Sequence, residues 1–253
     1  MSPALFDAHF HIIDPRHPLI PNNGYVPPSF STEDYQRRTK ELNVVGGAVV
    51  SGSFQAFDTG YLVAALRKLG PCFVGVAQVP GDISDSEVLR LDASGVRGVR
   101  FNLARGGSAG LAELDSLARH CFDVAGWHTE LYVDSRHLPE LHDVLAHLPA
   151  VSIDHLGMSK EGLPHLLRLV EEGVKVKATG FGRIDVDAVE AMKAIMEINP
   201  AALMAGTDLP STRARRPFHE DDLQLIQDSV SPEHVEAVFR TNAEDLYLDP
   251  IRL

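Results

Sequence analysis

Apolar residues along this chain follow two alternating rhythms. Short runs rich in Val, Ile, Ala and Phe recur at 5–9, 44–51, 72–79, 96–102, 130–133, 151–155, 174–179 and 202–207, and read as strands. Helix-length segments separate them, at 32–42, 58–69, 85–93, 110–126, 138–148, 162–172, 186–198, 220–228 and 232–246. The clearest is 110–126, where Leu111, Leu114, Leu117, Ala118, Cys121, Phe122 and Ala125 fall at helical spacing. Strands that alternate with helices must pair in parallel, because each crossover returns the chain to the same end of the sheet. Eight such units predict a closed (β/α)₈ TIM barrel, one domain over 1–253, which matches the length of about 250 residues usual for that fold. A doubly wound open sheet is the alternative, but no Gly-x-Gly-x-x-Gly follows an early strand. Thr32, Asp85 and Ser231-Pro232 are the expected helix starts. Residues 21–31, with Pro21, Pro27 and Pro28, form the longest irregular insert; it follows the first strand and is expected over the reactive end of the barrel.

Composition narrows the function. Lys and Arg total 23 against 35 Asp and Glu, a net charge of −12 that argues against a nucleic-acid partner. A small anionic substrate is compatible with that charge only through arginines placed locally. No basic, apolar leader and no run of about 18 apolar residues is found, so a soluble, cytoplasmic protein without membrane contact is expected. Cys72 and Cys121 lack metal-type spacing and are expected as two buried thiols.

Strand alternation places Asp7, His9 and His11 on one face of the first strand, with Phe6, Ala8, Phe10 and Ile12 on the other. In a parallel barrel, polar residues at the C-terminal strand ends converge on one cavity. Those residues are His9 and His11 from the first strand, Ser51 from the second, Arg100 and Asn102 from the fourth, and Tyr132 from the fifth. The later strands add His155, Arg183 and Asp208. A guanidinium fork matches a carboxylate, so Arg100 and Arg183 are expected to hold an anionic substrate, the other possibility being salt bridges to neighbouring acids. Tyr25, Ser51 and Tyr132 would add neutral hydrogen bonds, and Arg213 is the best placed of the Arg213, Arg215, Arg216 group. His128, His137, His142, His147, His165, His219 and His234 lack a strand-end partner and are expected to be structural.

His9-Phe10-His11, Asp154-His155-Leu156-Gly157 and Gly206-Thr207-Asp208-Leu209-Pro210 together resemble the amidohydrolase superfamily. Gly24-Tyr25-Val26-Pro27-Pro28, Arg97-Gly98-Val99-Arg100-Phe101-Asn102 and Lys177-Ala178-Thr179-Gly180-Phe181-Gly182-Arg183 resemble its amidohydrolase-2 branch, which contains 2-pyrone-4,6-dicarboxylate lactonase and sugar lactonases. The resemblance implies a hydrolase that opens the ring ester of a small lactone. Asp208 would be the general acid/base, while His9, His11 and His155 polarise the carbonyl. The superfamily often binds one or two divalent metals, yet the fourth strand here ends Arg100-Phe101-Asn102 without Lys, and Tyr132 stands where a metal-binding decarboxylase would place His. No cofactor is therefore expected; a single Zn²⁺ or Mn²⁺ on His9, His11 and Asp208 is the alternative. The rival functions are a metal-dependent decarboxylase or amide hydrolase, and a binding protein without turnover. A small-molecule substrate is the expected partner, with the oligomeric state open.

Overall fold

The computed structural model describes residues 2–248. Its strands are β1 (Leu5–Phe10), β2 (Val44–Val50), β3 (Phe73–Ala77), β4 (Val96–Asn102), β5 (His128–Tyr132), β6 (Val151–Ile153), β7 (Lys175–Ala178) and β8 (Leu203–Ala205). All are parallel and neighbour one another in sequence order. The turn after β8 closes the ring: Asp208 N–H donates to His9 O and His11 N–H to Leu209 O, each at 2.7 Å. The result is the expected (β/α)₈ barrel.

Helices α1 (Thr32–Arg38), α2 (Gly60–Leu69), α3 (Asp85–Asp92), α4 (Leu114–Ala125), α5 (Leu138–Leu145), α6 (Leu163–Glu171), α7 (Ala188–Ile198), α8 (Glu220–Ser229) and α9 (Asn242–Tyr247) connect and cover the strands. Their apolar stripes, such as Leu114, Leu117, Ala118 and Cys121 of α4, pack into the main core against outward strand residues including Val99, Phe101 and Leu131. A smaller cluster joins Phe6, Ala8, Val50, Val76 and Met204 to Tyr247 of α9. No helix among the described residues is long and apolar enough to cross a membrane.

Local chemistry sets the helix boundaries. Helix α1 starts at Thr32 as expected, and its cap is Ser31, which forms a reciprocal capping box with Asp34. Helix α3 opens at Asp85 as expected, with Ser84 as its cap. A single 3₁₀ turn, Leu111–Glu113, precedes α4 and leaves Leu111 exposed. The segment 232–246 is not one helix: a 3₁₀ turn and a five-residue π turn, Ala237–Thr241, precede α9. Cys121 is buried as expected, whereas Cys72, one residue before β3, is exposed. His128 opens β5 and is buried, its Nδ1 2.9 Å from Arg97 O, in the structural role expected of it.

Asp7 departs from the expected face. The β1/β2 register shifts between Asp7 and Phe10, and such an irregularity breaks strict alternation. His9 and His11 face the site, while the Asp7 carboxylate receives hydrogen bonds from Tyr35 Oη (2.9 Å) and from Thr207 N and Oγ1 (2.8 Å each). It thus ties β1 to α1 and to the turn carrying Asp208.

Burial pushes the Asp7 carboxyl up to about 6 despite these hydrogen bonds. A carboxyl raised in the folded state binds more protons there than in the unfolded chain. Its stabilisation is fully present below the ordinary value of 3.8 and is lost as pH rises through about 6. Urea unfolding of the wild type should therefore lose about 3 kcal/mol between pH 3.5 and 6.5 relative to Asp7→Asn. Parallel pH dependences of the two proteins would show that Asp7 is not protonated in the fold.

Candidate active site

At the C-terminal end of the barrel, three imidazoles converge on one carboxylate oxygen. His9 Nε2, His11 Nε2 and His155 Nε2 lie 3.9, 3.8 and 3.9 Å from Asp208 Oδ1. His9 and His11 come from the end of β1, and His155 and Asp208 from the turns after β6 and β8. Both turn residues have left-handed backbones, with φ 52 at His155 and φ 59 at Asp208. That conformation is unfavourable for a residue with a Cβ and persists only where surrounding structure enforces it. For Asp208 the enforcement is the bond to His9 O. For His155 it is the bond between Nδ1 and Thr179 Oγ1 (2.8 Å), in space left open by Gly180, where a Cβ would lie 2.5 Å from that Nδ1.

Burial sets the charge state of this group. His9 and His155 are held well below the ordinary imidazole value by desolvation; His11 falls to about 3 from desolvation and the nearby Arg100. All three rings are neutral at physiological pH. Burial raises Asp208, against the Arg183 guanidinium, whose Nε and Nη2 are each 2.7 Å from Oδ2. Oδ2 is thus occupied, while Oδ1 has no hydrogen-bond partner. His11 Nδ1 lies 2.8 Å from Val50 O, and a carbonyl only accepts. This assigns the His11 proton to Nδ1 and leaves Nε2 bare. A donor role for His11 toward a carbonyl oxygen is therefore corrected: its site-facing nitrogen accepts.

Beneath the imidazoles lies a closed ring of alternating charge. Arg100 pairs with Glu130 and, at 2.8 Å, with Asp154; Lys177 pairs with Glu130 and, at 3.5 Å, with Asp154. None of the four side chains is more than 2% exposed. Burial alone would raise Asp154, but Arg100, His9 and Lys177 hold it well below the usual carboxylate range. The Arg100 fork is therefore already engaged, and its expected role as a carboxylate clamp is replaced by the salt-bridge alternative. Ser51 likewise turns away, its Oγ bonded to Tyr61 Oη at 2.8 Å.

Other expected residues shape the mouth. Asn102, Tyr132 and Arg183 line both the narrow cavity above the imidazoles and an adjoining cleft of about 760 Å³ between the loops after β4 and β5. Asn102 Oδ1 accepts from Arg105 N–H and shapes the β4 loop. Tyr132 packs edge-on against His155, with centroids 5.2 Å apart. Arg213 lines the narrow cavity, lies 4.4 Å over the Tyr25 ring, and donates to Asn22 in the insert after β1. Tyr25 is thus placed behind Arg213.

Three residues escaped the sequence reading. Glu130 and Lys177 were visible as charges placed inside predicted strands, a signal of burial with a partner. Arg105 lines both cavities and meets no carboxylate within 4 Å among the described residues; only its place three residues past Asn102 could have suggested it.

His9, His11 and Asp208 offer two nitrogens and an oxygen within 4.8 Å of one another, and a second group, His9, Asp154 and His155, meets the same criterion. The unpartnered, buried His9 Nε2 and Asp208 Oδ1 and the bare His11 Nε2 make a donor set that fits one Zn²⁺ or Mn²⁺.

Comparison with known proteins places this geometry in a family. A family model described as amidohydrolase matches residues 6–248. The chain is 28% identical to 2-pyrone-4,6-dicarboxylate hydrolase of Comamonas testosteroni, over 98% of this chain and 88% of that protein. It is 26% identical to 4-sulfomuconolactone hydrolase of Rhizobium radiobacter, over 87% and 82%. A crystal structure of a probable 2-pyrone-4,6-dicarboxylic acid hydrolase from Acinetobacter baumannii, with citric acid bound, superposes with a TM-score of 0.84 at 22% identity, covering 98% of this chain and 99% of that one. With barrel, strand-end residues and a sequence match along almost the whole chain in agreement, the protein belongs to the amidohydrolase family of hydrolases.

Proposed function

We propose that this protein hydrolyses the ring ester of a small lactone bearing carboxylate groups. The observation that carries the reading is the unpartnered Asp208 Oδ1, set among three neutral imidazoles at the bottom of an arginine-lined cleft. The two curated relatives, both named as hydrolases of lactone-type substrates, support it.

Asp208 Oδ1 and His11 Nε2 are both acceptors, 3.8 Å apart. A water seated between them would donate one hydrogen to each and turn a lone pair toward the substrate. Asp208 takes the proton as the water oxygen bonds to the lactone carbonyl carbon. His155, whose Nδ1 can accept from the Thr179 hydroxyl, then carries its proton on Nε2 and donates to the developing oxyanion. The ring C–O bond breaks, and Asp208 returns the proton to the departing oxygen, giving a hydroxy acid. Arg183 holds Asp208 by Oδ2 and leaves Oδ1 to the water.

One divalent ion on His9, His11 and Asp208 would supply Lewis-acid polarisation of the carbonyl. The metal-free course is favoured by charge: Arg100, Lys177 and Arg183 balance Glu130, Asp154 and Asp208, so these buried charges cancel within the chain itself. Arg105, with Arg183 and Arg213 beside it, is the cation at the mouth open to a substrate carboxylate.

Asp208→Asn keeps the shape but cannot take the proton, so lactone turnover should fall about 10²–10⁴-fold; near-wild-type kcat would move the base elsewhere. Chelated protein should retain its activity. Stoichiometric zinc or manganese, with activity lost on removal and restored on return, would instead establish the metal-assisted course and reopen the decarboxylase and amide hydrolase readings. Arg105→Met should raise KM for a carboxylated lactone by about 10-fold, the scale of one charge-assisted pair, with little change for a neutral sugar lactone. Equal effects on both would make the substrate a neutral lactone.

A further inference from the structure

Lys177 and Glu130 take no part in these steps, yet both side chains are fully buried directly beneath His9. Lys177 Nζ lies 3.3 Å from His9 Nδ1 in hydrogen-bonding geometry. An ammonium offers only donors, so Nδ1 meets it as a bare acceptor and the proton of the neutral ring belongs on Nε2. Asp154 Oδ1 is 3.2 Å from the same Nδ1, but neither Asp154 oxygen takes part in an aligned hydrogen bond. At His11 the situation is reversed, because Val50 O takes the Nδ1 proton and leaves Nε2 bare.

We propose that Lys177 is a positioning residue that fixes His9 in its Nε2–H tautomer, so that the two histidines of the His9-Phe10-His11 strand end present opposite faces to the site, His9 a donor and His11 an acceptor. Resting on the hydrolytic reading, this assigns His9 to the carbonyl oxygen beside His155, and His11 to the water beside Asp208. The unpartnered His9 Nε2 then has a purpose: it is a buried N–H waiting for an oxyanion. The same tautomer carries its proton on Nε2, so a metal ion held by His9 would have to displace that proton. Glu130 and Asp154, both in contact with Lys177, keep its ammonium in place.

Long-range ¹H–¹⁵N spectra of ¹⁵N-histidine-labelled protein read the tautomers without any substrate. The wild type should show His9 protonated on Nε2 and His11 on Nδ1, with signals assigned by His9→Gln and His11→Gln. In Lys177→Met, Asp154 becomes the remaining partner of Nδ1, and the His9 proton should move there while His11 stays as it was. Lys177→Arg retains a donor and should keep the wild-type pattern. With turnover measured on the best lactone, Lys177→Met should lower kcat about 10²-fold, the usual loss for one oxyanion donor, with KM changed less than about threefold. If the single variant does not fold, Lys177→Met/Glu130→Gln removes opposite charges together and should show the same shift of the His9 proton. A wild-type His9 protonated on Nδ1, or an unchanged His9 tautomer once Lys177 is gone, would overturn the proposal. Failure of the whole lactone panel would overturn the reaction and leave the tautomer result standing.

Discussion

Everything at this site stands on four buried charges that have no water to rely on. An isolated carboxylate or guanidinium in a barrel interior is costly, and such groups persist when each is paired with opposite charge. Here Arg100, Glu130, Lys177 and Asp154 close a ring in which each charge touches two of opposite sign. The barrel register makes this possible: Arg100 and Glu130 are direct partners across β4 and β5, Asp154 follows directly after β6, and Lys177 lies on β7. The arrangement ties four strands together through one electrostatic unit. Removal of any member leaves an unpaired charge, which typically costs about 3–5 kcal/mol.

That ring also fixes what lies above it. Because its charges cancel, the imidazoles see no net charge from below, only a local pattern of donors and acceptors. Desolvation keeps them neutral, and neutral imidazoles have a direction: one nitrogen gives and the other takes. A carbonyl at His11 and an ammonium at His9 are opposite instructions to adjacent rings. The strained turns at His155 and Asp208 complete the geometry, since an extended backbone at either residue would carry its side chain away from the β1 histidines.

The barrel was legible in the sequence because its strands are apolar on both faces and its helices on one, and those patterns depend only on neighbours along the chain. The His9, His11, His155 and Asp208 constellation was legible because four polar residues ended predicted strands inside recurring motifs. Partnership was not. Arg100 reads as a free fork until Glu130 and Asp154 are seen on either side of it, and Lys177 reads as a strand residue until its carboxylates appear. The shift at Asp7 depends on how β1 meets β2 and β8, a relation between segments about 40 and 200 residues away in sequence. The exposure of Cys72 and the turn of Ser51 toward Tyr61 likewise depend on tertiary placement rather than on local pattern.

For an acidic chain to take the anionic substrate proposed here, it must separate its overall field from its local one. The net charge of −12 repels anions at long range, but salt screens such repulsion beyond about 10 Å. Inside the mouth the balance reverses. Arg183 is neutralised by Asp208, whereas Arg105 has no acid within 4 Å among the described residues, and Arg213 is held by the neutral Asn22 and Tyr25. Two uncompensated guanidiniums therefore face the approach to a floor of neutral imidazoles. On the proposed reading, a substrate carboxylate would be drawn to the rim while the ester carbonyl, which carries no charge, would be left to enter among the imidazoles. The division of labour in that proposal follows from where charge is cancelled and where it is not: pairing below would allow chemistry on a neutral group, and the lack of pairing above would select the anion attached to it.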